Sequence, residues 1–145
     1  MTAFRGTLSR LAGGLAVSAY CLTSSLAFVT QGSDADASDK VVVNFTSEAS
    51  SGVSGQAMLN GLPQGGTVIH GKLSGLQPNV EYVSQAFTDA ACGTGPATQI
   101  DRFTANANGA AVFNAKIDKN LSDIKSVSVQ LGSDQSLKAC APVNQ

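Results

Sequence analysis

The sequence predicts an all-β domain: about eight short strands folded as a two-sheet sandwich or a flattened barrel. Three observations carry this expectation. Short runs rich in Val, Ile, Phe and Thr recur along residues 41–145, several with a period of two. Clusters of Gly, Asn, Pro and Ser separate them. No segment sustains a 3.6-residue apolar period, and Leu121-Ser122-Asp123-Ile124 offers at most one helical turn. Eight short strands in roughly 105 residues fit two packed layers.

The strands can be justified in order. Val41-Val42-Val43-Asn44-Phe45 is β-branched and aromatic. After a Ser/Gly loop comes Gly55-Gln56-Ala57-Met58-Leu59. Thr67 to Leu73 alternates, which puts Ile69 and Leu73 on one face. Val80 to Phe87 follows the Gln77-Pro78 turn signal. Ala97 to Thr104 and Ala110 to Ile117 flank Asn106-Ala107-Asn108-Gly109, and the Asn-Gly pair predicts that they form a hairpin. Ser126 to Leu131 alternates strictly, with Val127, Val129 and Leu131 inward, and Leu137 to Val143 ends the chain.

The N-terminal region has a different character. Arg5 and Arg10 precede the apolar run Leu11 to Leu22, and Ser25-Leu26-Ala27 offers small residues for cleavage. Residues 1–27 therefore read as a secretory signal peptide. An anchor helix is the alternative, but an apolar run of about 12 residues broken by Gly13-Gly14 falls short of the ~20 that span a bilayer. Lipidation at Cys21 would need a small residue before it, and Tyr20 is bulky. Residues 28–40, FVTQGSDADASDK, read as an acidic disordered linker, and residues 41–145 as the domain. The expected localisation is secreted or periplasmic.

Cleavage after Ala27 leaves two cysteines, Cys92 and Cys140, in an oxidising compartment. A single disulfide is the natural reading, worth about 4 kcal/mol in the chain-entropy treatment, with two free thiols as the alternative. Of nine Lys and Arg, Arg5 and Arg10 are lost, so seven face ten Asp and Glu: a net charge of −3. That balance shows no basic stripe for a phosphate backbone and argues against a nucleic-acid partner. No basic amphipathic helix suggests a membrane surface either.

Several segments then line up in one order. Gly55 to Leu59 resembles the second strand of copper/zinc superoxide dismutases, and Val68 to Leu76, VIHGKLSGL, is similar to that family's V-x-V-x-G-x-I-x-G-L. Tyr82 to Asp89, YVSQAFTD, stands where the family has F-H-V-H-E-F-G-D. Phe103 to Val112, FTANANGAAV, resembles V-T-A-D-x-D-G-x-A. Cys92 and the pair Ala139-Cys140 match the two bridging cysteines. The likeness covers about 100 residues. It implies a Greek-key β-sandwich, immunoglobulin-like in its layering, with a Cys92–Cys140 bridge.

The same likeness implies that the chemistry is missing. The family's copper ligands fall on Val83, Gln85 and Gln130, and its guide arginine on Leu137, beside Lys138. Valine has no donor atom, and an amide oxygen is a poor copper ligand. The segment after Cys92, where a zinc loop should lie, contains no histidine. The expected cofactor set is therefore none, for copper and for zinc, and no residue is expected to be catalytic.

Individual residues carry modest alternatives. His70 is the only histidine, and it reads as a half-exposed strand residue sooner than as a ligand. Tyr82, Gln85 and Asp89 could form a small polar pocket, but Asp89 reads more simply as the cap of the turn before Cys92. Gln85 and Gln130 are expected to hydrogen-bond across adjacent strands. Gly93-Thr94-Gly95-Pro96 opens no helix, so it is a pinned loop and not an anion cradle. A hydrolase would need an oriented base that the chain lacks. Asn44-Phe45-Thr46 and Asn120-Leu121-Ser122 fit glycan acceptors. The resulting expectation is a non-catalytic binding or structural module with an unknown extracellular partner, a homodimer being one arrangement open to it. Its rivals are a divergent dismutase or copper-binding protein with a non-standard site, and a chaperone-like or inhibitor module.

Overall fold

A computed structural model describes residues 39–145 of the chain. The expected signal peptide over residues 1–27, with Cys21, and residues 28–38 of the expected linker lie outside the described residues. Eight strands follow in order: β1 (Lys40–Ser47), β2 (Ser54–Gly61), β3 (Thr67–Ser74), β4 (Glu81–Phe87), β5 (Ala97–Thr104), β6 (Ala111–Ile117), β7 (Ser126–Leu131) and β8 (Leu137–Pro142). One turn of 3-10 helix, Leu121–Asp123, stands where the sequence allowed a helical turn. β1 starts at Lys40, which pairs with Asn60 of β2.

All strand pairs are antiparallel, in the order β5-β4-β7-β8-β1-β2-β3-β6. The sheet curls until its two end strands, β5 and β6, lie side by side. No backbone ladder joins them. Aromatic rings close that seam instead: Phe103 of β5 stacks on Phe113 of β6 with centroids 5.4 Å apart, and on Tyr82 of β4 at 6.1 Å.

This corrects the expected hairpin. The Asn106–Gly109 turn does form: the Asn106 side-chain oxygen accepts the N–H groups of Asn108 and Ala110, and Gly109 adopts φ 70°. The flanking strands nevertheless part, β5 to β4 and β6 to β3. The reason is where the turn is stitched. Leu76 N–H donates to Gly109, Asn79 N–H to Ala105, and Ala105 N–H to Val80. The connection is thus held by the β3–β4 segment, and its ends feed different parts of the sheet.

Inward residues follow the period of two on most strands. On β3, Thr67, Ile69, Gly71 and Leu73 are buried while His70, Lys72 and Ser74 are exposed. Ile69, Leu73, Leu59, Phe113, Val127 and Val129 belong to one apolar core. β7 departs from the expected alternation. Val127 and Val129 face the core and Leu131 packs partly against it, but Ser126, Ser128 and Gln130 are buried as well. The segment after β4 lies against the Ser126 and Ser128 end of this face. Ser126 Oγ donates to the Asp89 carbonyl at 2.6 Å, and Cys92 is bonded to Cys140 on the adjoining strand. Serines outside and valines inside make the strand narrow enough to be covered on both faces.

Candidate functional site

The positions singled out by the resemblance converge on the outer face of β4, β7 and β8. Val83 stands opposite Gln130, and Gln130 opposite Leu137, so the three form one row across the strands. In the next row Gln85 faces Ser128, and Ser128 faces Cys140. Two irregularities border the patch, at Ser84/Gln85 against β5 and at Val129/Gln130 against β8. Val83 is 2% exposed and Gln130 6%.

The donors in this patch do not fit copper. Val83 supplies no lone pair, and the remaining polar groups are amides and a serine hydroxyl, hard or neutral oxygen donors where copper favours imidazole. His70 cannot join them, because β3 lies four places from β7 in the sheet order, across the barrel. Among the described residues no three His, Cys, Asp or Glu gather into a group that could hold a metal ion.

The expected amide pair between Gln85 and Gln130 does not form. Register puts Gln130 opposite Val83 and Gln85 opposite Ser128, so the two amides stand diagonally, without a hydrogen bond between them. The Ser128 hydroxyl is buried without a partner. The polar pocket of Tyr82, Gln85 and Asp89 is not assembled either. Tyr82 points into the core, where its hydroxyl accepts the Gln77 N–H at 2.9 Å, while Gln85 lies on the opposite face of the strand. Asp89 takes the turn role: Oδ1 accepts the Ala91 N–H at 2.9 Å. Its Oδ2 is buried against Gly95 with no hydrogen-bond partner.

The bridge Cys92–Cys140 holds this lid to β8, with Cα atoms 5.8 Å apart. It pins the Gly93–Pro96 loop through Cys92, whose Sγ also lies 3.4 Å from the Val127 carbonyl. Beyond the patch, Arg102 and Glu81 form an exposed ion pair on β5 and β4. The Ser136 N–H holds the Asp134 carboxyl below its usual range in the β7–β8 turn. Both sequon asparagines are exposed, but Asn120 Oδ1 already accepts the Gly66 N–H at 3.2 Å.

An open concavity of about 550 Å³ lies at one end of the barrel between the Leu62–Gly66 turn and Lys116, Asp118 and Asn120. It brings together one ammonium, one carboxylate and two amides, Gln64 and Asn120, with no nucleophile held by a base. Among the described residues no helix is long and apolar enough to cross a membrane. What sequence reasoning missed is the exposed sheet face around His70, since its members come from four strands and only register unites them. Compared with known proteins, the chain matches no family model, and no curated protein matches it.

Proposed function

We propose that this chain is an extracytoplasmic, non-catalytic module: a disulfide-braced β-sandwich of the Greek-key kind, similar to copper/zinc superoxide dismutases and lacking their metal site. The strand order supports the finer fold reading. β4 pairs with β5, β6 lies beside β5 without a ladder, and β7 returns beside β4, an order around the barrel that resembles the 4-1-2-3 arrangement of a Greek key. The bridged cysteines support export, because disulfides persist in oxidising compartments.

One observation carries the functional reading. The Val83–Gln130–Leu137 row, where the resemblance puts two copper ligands and a guide arginine, consists of apolar and amide side chains, with Val83 and Gln130 buried. Such a patch offers neither imidazoles nor an approach for superoxide. A β-sandwich of this kind can host many functions, and what remains here is a rigid scaffold presenting faces and loops.

The test is metal analysis with activity. Protein purified from its native source should carry copper and zinc far below one equivalent and consume superoxide no faster than buffer. Stoichiometric copper together with fast dismutation would favour the divergent-dismutase alternative and end this reading.

A further inference from the structure

Charge is unevenly distributed over the barrel. The outward positions of β1, β2, β3 and β6 form three rows fixed by register. One row runs Lys40–Asn60–Val68–Lys116, the next Val42–Met58–His70–Asn114, and the third Asn44–Gln56–Lys72–Val112. The lysines and His70 are exposed. No Asp or Glu occupies an outward position on these strands; Asp39 and Asp118 lie beyond the ends of β1 and β6. None of the three lysines has a carboxylate within salt-bridge distance, since the ion pair among the described residues is Arg102–Glu81 on the other side. A chain whose mature charge is −3 thus carries a four-strand face whose outward charges are all basic, with Asp39, Glu48 and Asp118 beyond its ends.

We propose that this face binds an acidic polysaccharide of the polyuronate type, carrying carboxylates and free hydroxyls. This rests on the binding-module reading above and names its ligand. Charge sets the sign of the ligand. Spacing and side-chain chemistry set its class. With strands about 4.8 Å apart and about 3.4 Å per residue, the three lysines form a triangle with sides of roughly 14–17 Å. Such sparse ammonium groups match a polymer with about one charge per sugar better than a densely sulfated one. Between them stand four carboxamides, Asn44, Gln56, Asn60 and Asn114, which can donate to and accept from hydroxyls. Val42 and Val112, 55% and 69% exposed, offer apolar contact for sugar-ring C–H faces. The face is exposed across four strands, as an extended polymer requires and a small molecule does not.

The test uses the exported chain at low salt with polygalacturonate as probe and dextran, dextran sulfate and poly-L-glutamate as comparisons. Polygalacturonate should bind, salt should weaken it, and neutral dextran should not bind. K40E/K72E/K116E should reduce the affinity by about tenfold or more, while K119E/K125E/K138E, with the same charge change elsewhere, should leave it within about twofold. Thermal melts check that both variants fold, and K40Q/K72Q/K116Q repeats the comparison with a smaller perturbation. Absence of polygalacturonate binding, equal loss in the two triple variants, or equal or tighter binding of dextran sulfate or poly-L-glutamate overturns the proposal. Such a failure leaves the metal-free reading standing; bound copper would sink that reading without touching this face.

Discussion

At position 71 there is no room for a side chain. Gly71 faces Phe113 across β3 and β6, and a Cβ there would fall inside the Phe113 ring. Glycine lets the aromatic ring lie flat over the backbone, where it also stacks on Phe103 across the seam that lacks a ladder. Gly71→Val should therefore cost about 1–3 kcal/mol by overpacking, read as a lower urea midpoint with unchanged slope. Phe113→Ala should cost more, about 3–5 kcal/mol, because it empties the core and opens the β5–β6 seam together. Asp134 makes a smaller statement. Its carboxyl is held below the ordinary value, so its contribution to the β7–β8 turn is present above the unfolded value and is lost as pH falls through the folded one. A carboxyl NMR titration should find Asp134 below an unperturbed aspartate, and Ser136→Pro, which removes the N–H, should move it back up.

At the scale of elements, the barrel has a second weak seam, between β1 and β8. Their ladder contains only Thr46 with Cys140 and Ser47 with Ala139, extended by the Glu48 N–H to the Lys138 carbonyl. The next position toward the start of β1 sets Asn44 opposite Pro142. Val143 donates its N–H to Lys125, beside β7, so the main-chain nitrogens of residues 140, 142 and 144 face β1. Pro142 has no hydrogen to give, and the two strands separate around a cleft of about 250 Å³ lined by Val41–Asn44, Pro142 and Asn144. Pro142→Ala restores a donor worth about 0.5–1.5 kcal/mol and loosens the unfolded chain by about 0.4–1 kcal/mol, so the two effects nearly cancel. The expected result is a melting temperature within a few degrees of the parent, with a new slowly exchanging amide at position 142; a fast-exchanging one would show that the seam is open for another reason. All eight strands and the helical turn were legible in the sequence, because alternation, β-branching and turn residues act over a few neighbours. The Asn-Gly signal located its turn and misjudged its partners, since the bonds from Leu76 and Asn79 that divert β5 and β6 come from residues far along the chain.

For the whole molecule, the bridge joins residues 48 apart and ties the lid to the sheet. Reduction should add about two mass units and lower the stability by about 4 kcal/mol in the chain-entropy treatment, within the usual 2–5 kcal/mol for small exported domains. Cys92→Ser with Cys140→Ser should show the same loss and expose the Val83 and Gln130 face to faster amide exchange around β7. The candidate patch was only half legible. That Val83 and Leu137 have no donor atom, and that Gln85 and Gln130 offer only amides, follows from their side chains; that Val83, Gln130 and Leu137 share one row required the strand order. The burial of Ser126 and Ser128 was hidden for the same reason, because a period of two assigns faces but does not say what covers them. By itself the sequence determined where strands start and stop, which residues on most of them face inward, and that the chain has one histidine. Only tertiary structure decided that this histidine sits across the barrel from Gln130, and that three distant lysines share a face without carboxylates. Local propensity acts along the chain, whereas register and closure arise from contacts between residues that the chain brings together only on folding.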